Sequence, residues 1–464
     1  MSYSKDNLAW LGTIPDHWQV SKLRQVLSPF SEKNHPDMPL LSVVREKGVI
    51  IRNVESKEEN HNYVPDDLSN YKLVKQGQFT MNKMKAWQGS YGVSKYDGIV
   101  SPAYFVFNFK CDINGDFFNA AIRSKAYVSY FGQASDGIRV GQWDLSMARM
   151  KDIPFLVPPR EEQDQIVRFL DWKVSSINRL ISNYRHQIAL LDEIKQRRID
   201  EAVIKGMRKS TIVHNDDIRW DIDYPEHWQI QRIRESFTFR KGLSITKANL
   251  EETGIAVISY GQVHSKKNSG VALNGDLIRY VNESYLTTNQ SCLVEKGDFI
   301  FADTSEDVTG CGNCAYIDWD DTIFAGYHSI IAHPDGSINS KYLAYLFNSS
   351  TWRYQIRKKV NGVKVYSITQ KMLKDTFILI PPIDEQEEII RYLDEVYAKI
   401  DVTIKKMEAK IANLQDLRIC LIADTVTGKI DVRGIEIPEY EFVDEDADAD
   451  NEDDGEEDTE EQED

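Results

Sequence analysis

Long apolar runs are what this chain of 464 residues has least of, and none is long enough to cross a membrane as a helix. Met1 to Trp10 show no charged-then-apolar leader, so the expectation is a cytoplasmic protein with no membrane partner. Cysteine is scarce as well. Cys111, Cys292, Cys311, Cys314 and Cys420 are odd in number and scattered, which fits a reducing compartment better than a disulfide framework. Cys311-Gly-Asn-Cys314 is a lone C-x-x-C without a second pair at zinc-ribbon spacing, and buried or turn cysteines explain it more simply than a metal or redox site.

Catalytic signatures are also missing. There is no Gly-rich cofactor loop before a helix, no G-x-x-x-x-G-K-S/T phosphate loop and no Asn/Asp-Pro-Pro-Tyr/Phe tetrapeptide of the amino-methyltransferase kind. VPPR (157–160) and IPPI (380–383) have the two prolines without the acid or amide before them and the aromatic after, so they read as helix starters. The expectation is a non-catalytic chain with no metal and no cofactor of its own.

Net charge is absent from most of the chain, although the total is −17. Glu439 to Asp464 hold seventeen Asp or Glu and no Lys or Arg, which leaves 56 of each sign in residues 1–438. A block of like charges such as EDADADNEDDGEEDTEEQED buries nothing and repels itself, so 434–464 is expected to be a disordered acidic tail. A neutral body lacks the basic face usual in a dedicated DNA binder.

What the sequence does have is itself, twice. PFLVPPREEQDQIVRFLDWKVSSINRLI (154–181) returns as TFILIPPIDEQEEIIRYLDEVYAKIDVTI (376–404), with PPxxEQxxIxxxLD in common. IPDHWQV (14–20) returns as YPEHWQI (224–230), and VKQGQFT (74–80) as VEKGDFI (294–300). One unit is therefore written twice, and two near-equivalent working surfaces follow. The expected plan is an α+β module at 1–158, a helix at 159–208, a second module at 209–381 and a second helix at 382–433. His17 and His227, each beside a Trp, recur with the module and read as packing at its entrance, with a ligand role the lesser reading.

Apolar residues in the two helices step by threes and fours, the seam of a coiled coil or a long two-helix packing. They are Ile166, Leu170, Val174, Ile177, Ile181, Tyr184, Ile188, Leu191 and Ile194 in the first, and Ile389, Leu393, Val396, Ile400, Ile404, Met407, Ile411, Leu414 and Leu421 in the second. Each helix follows a Pro-Pro pair and stops near a glycine, Gly206 or Gly428. A rod of about 65 Å carries the chain from one module to the next. The second helix buries its seam most economically by running back antiparallel, which would relate the modules by a pseudo-twofold axis at opposite ends of a spacer.

This pattern resembles the specificity subunit of type I restriction-modification systems over about residues 8–433. The resemblance implies two target-recognition domains, each reading one half of a bipartite double-stranded DNA site, joined by two antiparallel helices. It implies as partners two methyltransferase subunits bound to the helices, and it allows two ATP-driven translocase-nuclease subunits. S-adenosylmethionine and ATP with magnesium would then belong to those partners.

Groove readout needs Arg, Lys, Gln or Asn on loops, with basic residues along phosphates. The candidates are Lys83, Lys85 and Gln88 in NKMKAWQGSYG and Arg139 and Gln142 in SDGIRVGQW. In the second module they are Lys266, Lys267 and Asn268 in VHSKKNSG and Lys358, Lys359, Asn361 and Lys364 in RKKVNGVKV. GIRV and GVKV occupy equivalent places and come first. From the residues alone, a non-catalytic scaffold whose two modules bind proteins stays open.

Overall fold

Proline starts both long helices and glycine ends them, as the spacing predicts. In the computed structural model they run Arg160–Lys205 and Ile383–Val426, with acidic residues in each first turn where the helix dipole favours them. Gly206 and Gly428 follow in left-handed conformations, φ +69° and +79°, which glycine adopts without strain. The structure describes residues 14–45, 47–52, 64–65, 67–139, 142–214, 220–362 and 365–444. No helix among these is long and apolar enough to cross a membrane.

The chain divides into two units, Met1–Arg185 with Glu408–Asp464 and His186–Met407, so each long helix is shared between them. In the first unit an antiparallel sheet runs in the order Leu27–Phe30, Tyr104–Phe109, Phe79–Asn82, Tyr91–Val93. The second unit repeats that order with Phe237–Lys241, Ser329–Pro334, Phe299–Ala302 and Cys314–Tyr316. Two short helices pack beside each sheet, Gly115–Ile122 and Lys125–Gln133 in one and Ser340–Asn348 and Ser350–Arg357 in the other. The α+β reading and the duplication hold at the level of strand order.

The second unit also builds a five-stranded mixed sheet, in which Ile255–Ile258 and Ile323–Ala325 run parallel. Its counterpart in the first unit is thinner among the described residues, two antiparallel strand pairs linked by a parallel bridge between Leu40 and Ile99.

Each core encloses the start of one long helix and the end of the other. Ile166, Phe169 and Leu170 pack with Val426, Phe118 and Phe155 in the first unit. In the second, Ile389, Leu393 and Tyr397 pack with Ile199, Val203, Tyr345 and Phe347. A large apolar side chain fully buried in this way stabilises by about 1.5–3 kcal/mol, so the helix ends are the best anchored parts of both rods. Within the first unit the helices run antiparallel: Asn178 accepts from Arg418 at 3.0 Å, and Lys410 sits 5.2 Å from the Tyr184 ring.

The predicted seam is covered along its length except at Ile194, which is 45% exposed. Lys195 takes that place in the second unit, pairing with Asp401 at 2.7 Å and lying 4.1 Å from the Tyr397 ring. A polar contact there needs no dry interface, because two helices alone half-bury their seam. The tail expectation also needs correcting at its start. Residues 434–444 lie along the first helix, where Asn178 donates to the Val443 carbonyl at 3.0 Å and Val443 N–H to Ser175 Oγ at 3.3 Å. Gln165 donates to the Ile435 carbonyl at 2.8 Å, and Ile435 and Ile437 pack half-buried against the core, while Tyr440 and Phe442 stay exposed. Residues 445–464 lie outside the described residues.

Candidate nucleic-acid interface

A repeated corner holds each module on its helix, and its polar chemistry is internal. Glu162 accepts from Trp18 Nε1 at 3.0 Å and meets His17 Nε2 at 2.7 Å; Glu385 does the same with Trp228 at 3.0 Å and His227 at 2.8 Å. Both carboxylates are buried. The next residue completes the joint. Gln163 accepts from the Asn114 N–H at 2.8 Å and donates to the Pro158 carbonyl at 2.8 Å, while Gln386 accepts from Asn339 at 2.9 Å and donates to Pro381 at 2.8 Å.

Asn114 and Asn339 in turn cap the first short helix of their module through their side chains. A Cβ at Gly206 would lie 2.7 Å from the Trp228 ring, and one at Gly428 2.5 Å from Pro15. The PxHW and EQ motifs are therefore a clamp that sets a module on the rod, and the histidines pack there as expected. Asn114 and Asn339 escaped the sequence reading, although each stands in an Ile-Asn-Gly/Ser triplet before a helical stretch.

In the first module the two candidate loops come together. Lys83 pairs with Asp144 at 2.6 Å, the Leu145 N–H donates to the Lys83 carbonyl at 3.1 Å, and the Trp87 and Trp143 rings sit 5.0 Å from each other. Lys85 is exposed and Gln88 half-buried beside this contact. Arg139 and Gln142 pair across the hairpin Ser135–Arg139/Gln142–Leu145, and their side chains fall outside the described residues. An ion pair at an exposed site is worth little to stability, so Lys83 is readily available to another anion.

In the second module Lys266 and Lys267 are exposed, whereas Asn268 is committed to the turn. Its amide donates to the carbonyls of Val263 and Cys314 at 2.8 and 3.0 Å, and its oxygen accepts from Gly270 N–H at 3.1 Å. Lys358 lies 5.5 Å from the Tyr354 ring, Lys359 and Asn361 are exposed, and Lys364 lies outside the described residues.

Between these two basic stretches runs the segment 303–313, which the search for basic and amide residues passed over. His264 Nε2 donates to the Thr304 carbonyl at 2.8 Å, Thr304 pairs with Ser367, and Arg357 donates to the Thr309 carbonyl. Cys311 in this segment and Cys314 just after it are structural in geometry. Cys311 donates to the Asp307 carbonyl at 3.5 Å, and burial pushes the Cys314 thiol up to about 12, far from the thiolate that metal or redox work needs. No group of three or more metal-ligating side chains occurs among the described residues.

Comparison with known proteins places this geometry. The model for the type I restriction modification DNA specificity domain matches residues 15–189 and again 225–413. The chain is similar to the MjaVIII specificity subunit of a type I restriction enzyme from Methanocaldococcus jannaschii, 22% identical over 294 residues and 61% of this chain. It is similar to the EcoKI specificity subunit from Escherichia coli, 22% identical over 323 residues and 66% of this chain. Each match covers 64% of the relative, a little under two thirds of its length. A chain in a solved structure concerned with complex assembly and conformational transition of the type I R-M system aligns over 90% of this chain and 100% of its own. Its TM-score is 0.61 at 15% identity, a likeness of fold.

Proposed function

We propose, from the premise that this chain belongs to the family of type I restriction modification DNA specificity domains, that it is a sequence-specific DNA-recognition subunit. It reads a bipartite duplex target, one half with each module, and it positions methyltransferase subunits on adenines of that target. The observation that carries this reading is one frame built twice with different loops. The strand order and the Glu–His–Trp clamp are the same in both units, while the loop after the second sheet strand begins with Lys83 in one and Asp303 in the other. Such divergence on a fixed frame is what two different half-sites demand, because side chains on loops read base edges while the scaffold only holds them.

The chain supplies recognition and the partners supply chemistry. Two methyltransferase subunits carrying S-adenosylmethionine, and two translocase-nuclease subunits using ATP and magnesium, complete the complex in this proposal. A neutral body binds phosphates modestly alone, so the partners add the salt-dependent part of affinity.

Co-expression with the genomic neighbours, purification of the complex and base-resolution mapping of methylated adenines test the reading. A two-part motif, absent without this chain, is the expected result. Methyl transfer by this chain alone, or a complex that methylates without sequence preference, would overturn it.

A further inference from the structure

The second module carries a carboxylate where the first has an ammonium. In both, the residue in question is the first after a central sheet strand, Phe79–Asn82 or Phe299–Ala302. Its carbonyl accepts from an equivalent N–H, Leu145 to Lys83 at 3.1 Å and Ile368 to Asp303 at 2.7 Å. The Asp303 carboxylate lies 3.2 Å from Nδ1 of His328, whose side chain is 57% exposed.

His328 stands in the left-handed region at φ +53°, a conformation that only a surrounding structure can hold on a non-glycine residue. The hold is visible. The Asp303 N–H donates to the His328 carbonyl at 3.0 Å, and a Cβ at Gly326 would lie 2.0 Å from Ser259 Oγ, so the Ser259 side chain packs directly on the turn that leads to His328. Tyr260 packs its ring 5.4 Å from His328 and 5.5 Å from Tyr327. Strain kept at an exposed polar pair, between the Lys266–Lys267 loop and the stretch leading from Lys358, points to a role in recognition.

A carboxylate facing phosphates is repelled. It is favourable at a DNA surface where it meets a donor on a base edge, and the major groove offers two, the amino groups N4 of cytosine and N6 of adenine. We propose that Asp303, oriented by His328, accepts a hydrogen bond from one of these exocyclic amino groups in the half-site read by the second module. This rests on the DNA-recognition reading above.

The test uses the assembled complex and a duplex library randomised over both half-sites, with methylation read at base resolution. The wild type should show cytosine or adenine at one position of the second module's half-site. Asp303→Ala should lower discrimination at that position by roughly 5- to 150-fold and leave every other position intact. His328→Gly keeps the left-handed turn, removes the imidazole and should weaken the same position less. Asp303→Asn, close in shape, should move the preference toward adenine, which a carboxamide recognises through N6 and N7. A wild-type two-part motif unchanged in all three variants sinks the Asp303 inference and leaves the broader reading standing, as would a loss spread evenly over all positions. A wild-type complex without any sequence preference overturns both.

Discussion

The two modules differ most where their frames agree best. Strand order, clamp and helix caps repeat almost residue for residue, yet at the rim one module presents Lys83, Trp87 and Trp143 while the other presents Asp303, His328 and a tyrosine pair. The frame also explains the repeated motifs without any appeal to chemistry on a substrate. A buried carboxylate bonded to an indole and an imidazole, followed by a glutamine bonded to two backbone groups, fixes how a module meets a helix. A duplicated protein of this kind keeps what orients its readers and varies what they touch.

The largest stability effect should come from that joint. Glu162→Ala or Glu385→Ala leaves a buried indole N–H and an imidazole without their acceptor, and each should cost about 2–3 kcal/mol in urea unfolding. If the frames are equivalent the two losses agree within about 0.5 kcal/mol. A loss in one copy alone would break the comparison.

Gly206→Ala and Gly428→Ala come next. Each puts a Cβ at positive φ and into Trp228 or Pro15, and each should destabilise by about 1–2 kcal/mol, more than the same change at Gly77, which also has positive φ but nothing within 4 Å.

For recognition, Arg139→Ala and Lys364→Ala should each weaken binding to one half-site, by about 1–3 kcal/mol where the side chain reads a base, and leave the other unchanged. Lys85→Ala should instead weaken all targets alike and lower the salt slope by about 1 if it meets a phosphate. Competition binding with half-site variants separates the two behaviours.

The smallest effect concerns the acidic end. Truncation after Asp444 should leave thermal unfolding unchanged, whereas truncation after Pro438 also removes the Val443 contacts with Ser175 and Asn178 and should cost about 1 kcal/mol. Both truncations should keep the target motif, and both should raise non-specific DNA binding at low salt by removing like charge. A changed motif would place the tail on the reading surface.

Much of the frame was legible because it is written twice. Pro-Pro marks both rod starts within a residue and Gly206 and Gly428 stand just past both ends, since helix signals are local, whereas the expected ends at 208 and 433 overshoot Lys205 and Val426 by three and seven residues. The partners of Glu162 and Gln163 were not legible, because they lie 144 and 49 residues away and nothing local distinguishes a clamping carboxylate from a solvated one. Ile194 fell on the seam by spacing and lies exposed, with the neighbouring Lys195 in contact instead; period alone cannot tell a dry contact from a charged one. Asp303 was missed for a chemical reason. A search for groups that bind phosphate or read guanine and adenine with Arg, Lys, Asn or Gln passes over the acid that can accept from cytosine or adenine. Asn268 shows what residue type alone does not report, since its amide already donates to the carbonyls of Val263 and Cys314.

Exchange of one module measures the central claim most directly. Residues 14–157, from the PxHW motif to the strand before the Pro-Pro pair, are replaced by the matching module of a relative with a different target, and the methylated motif of the assembled complex is mapped. The account predicts one half of the motif replaced and the other half identical to the wild type. A change in both halves, or in neither, would contradict it.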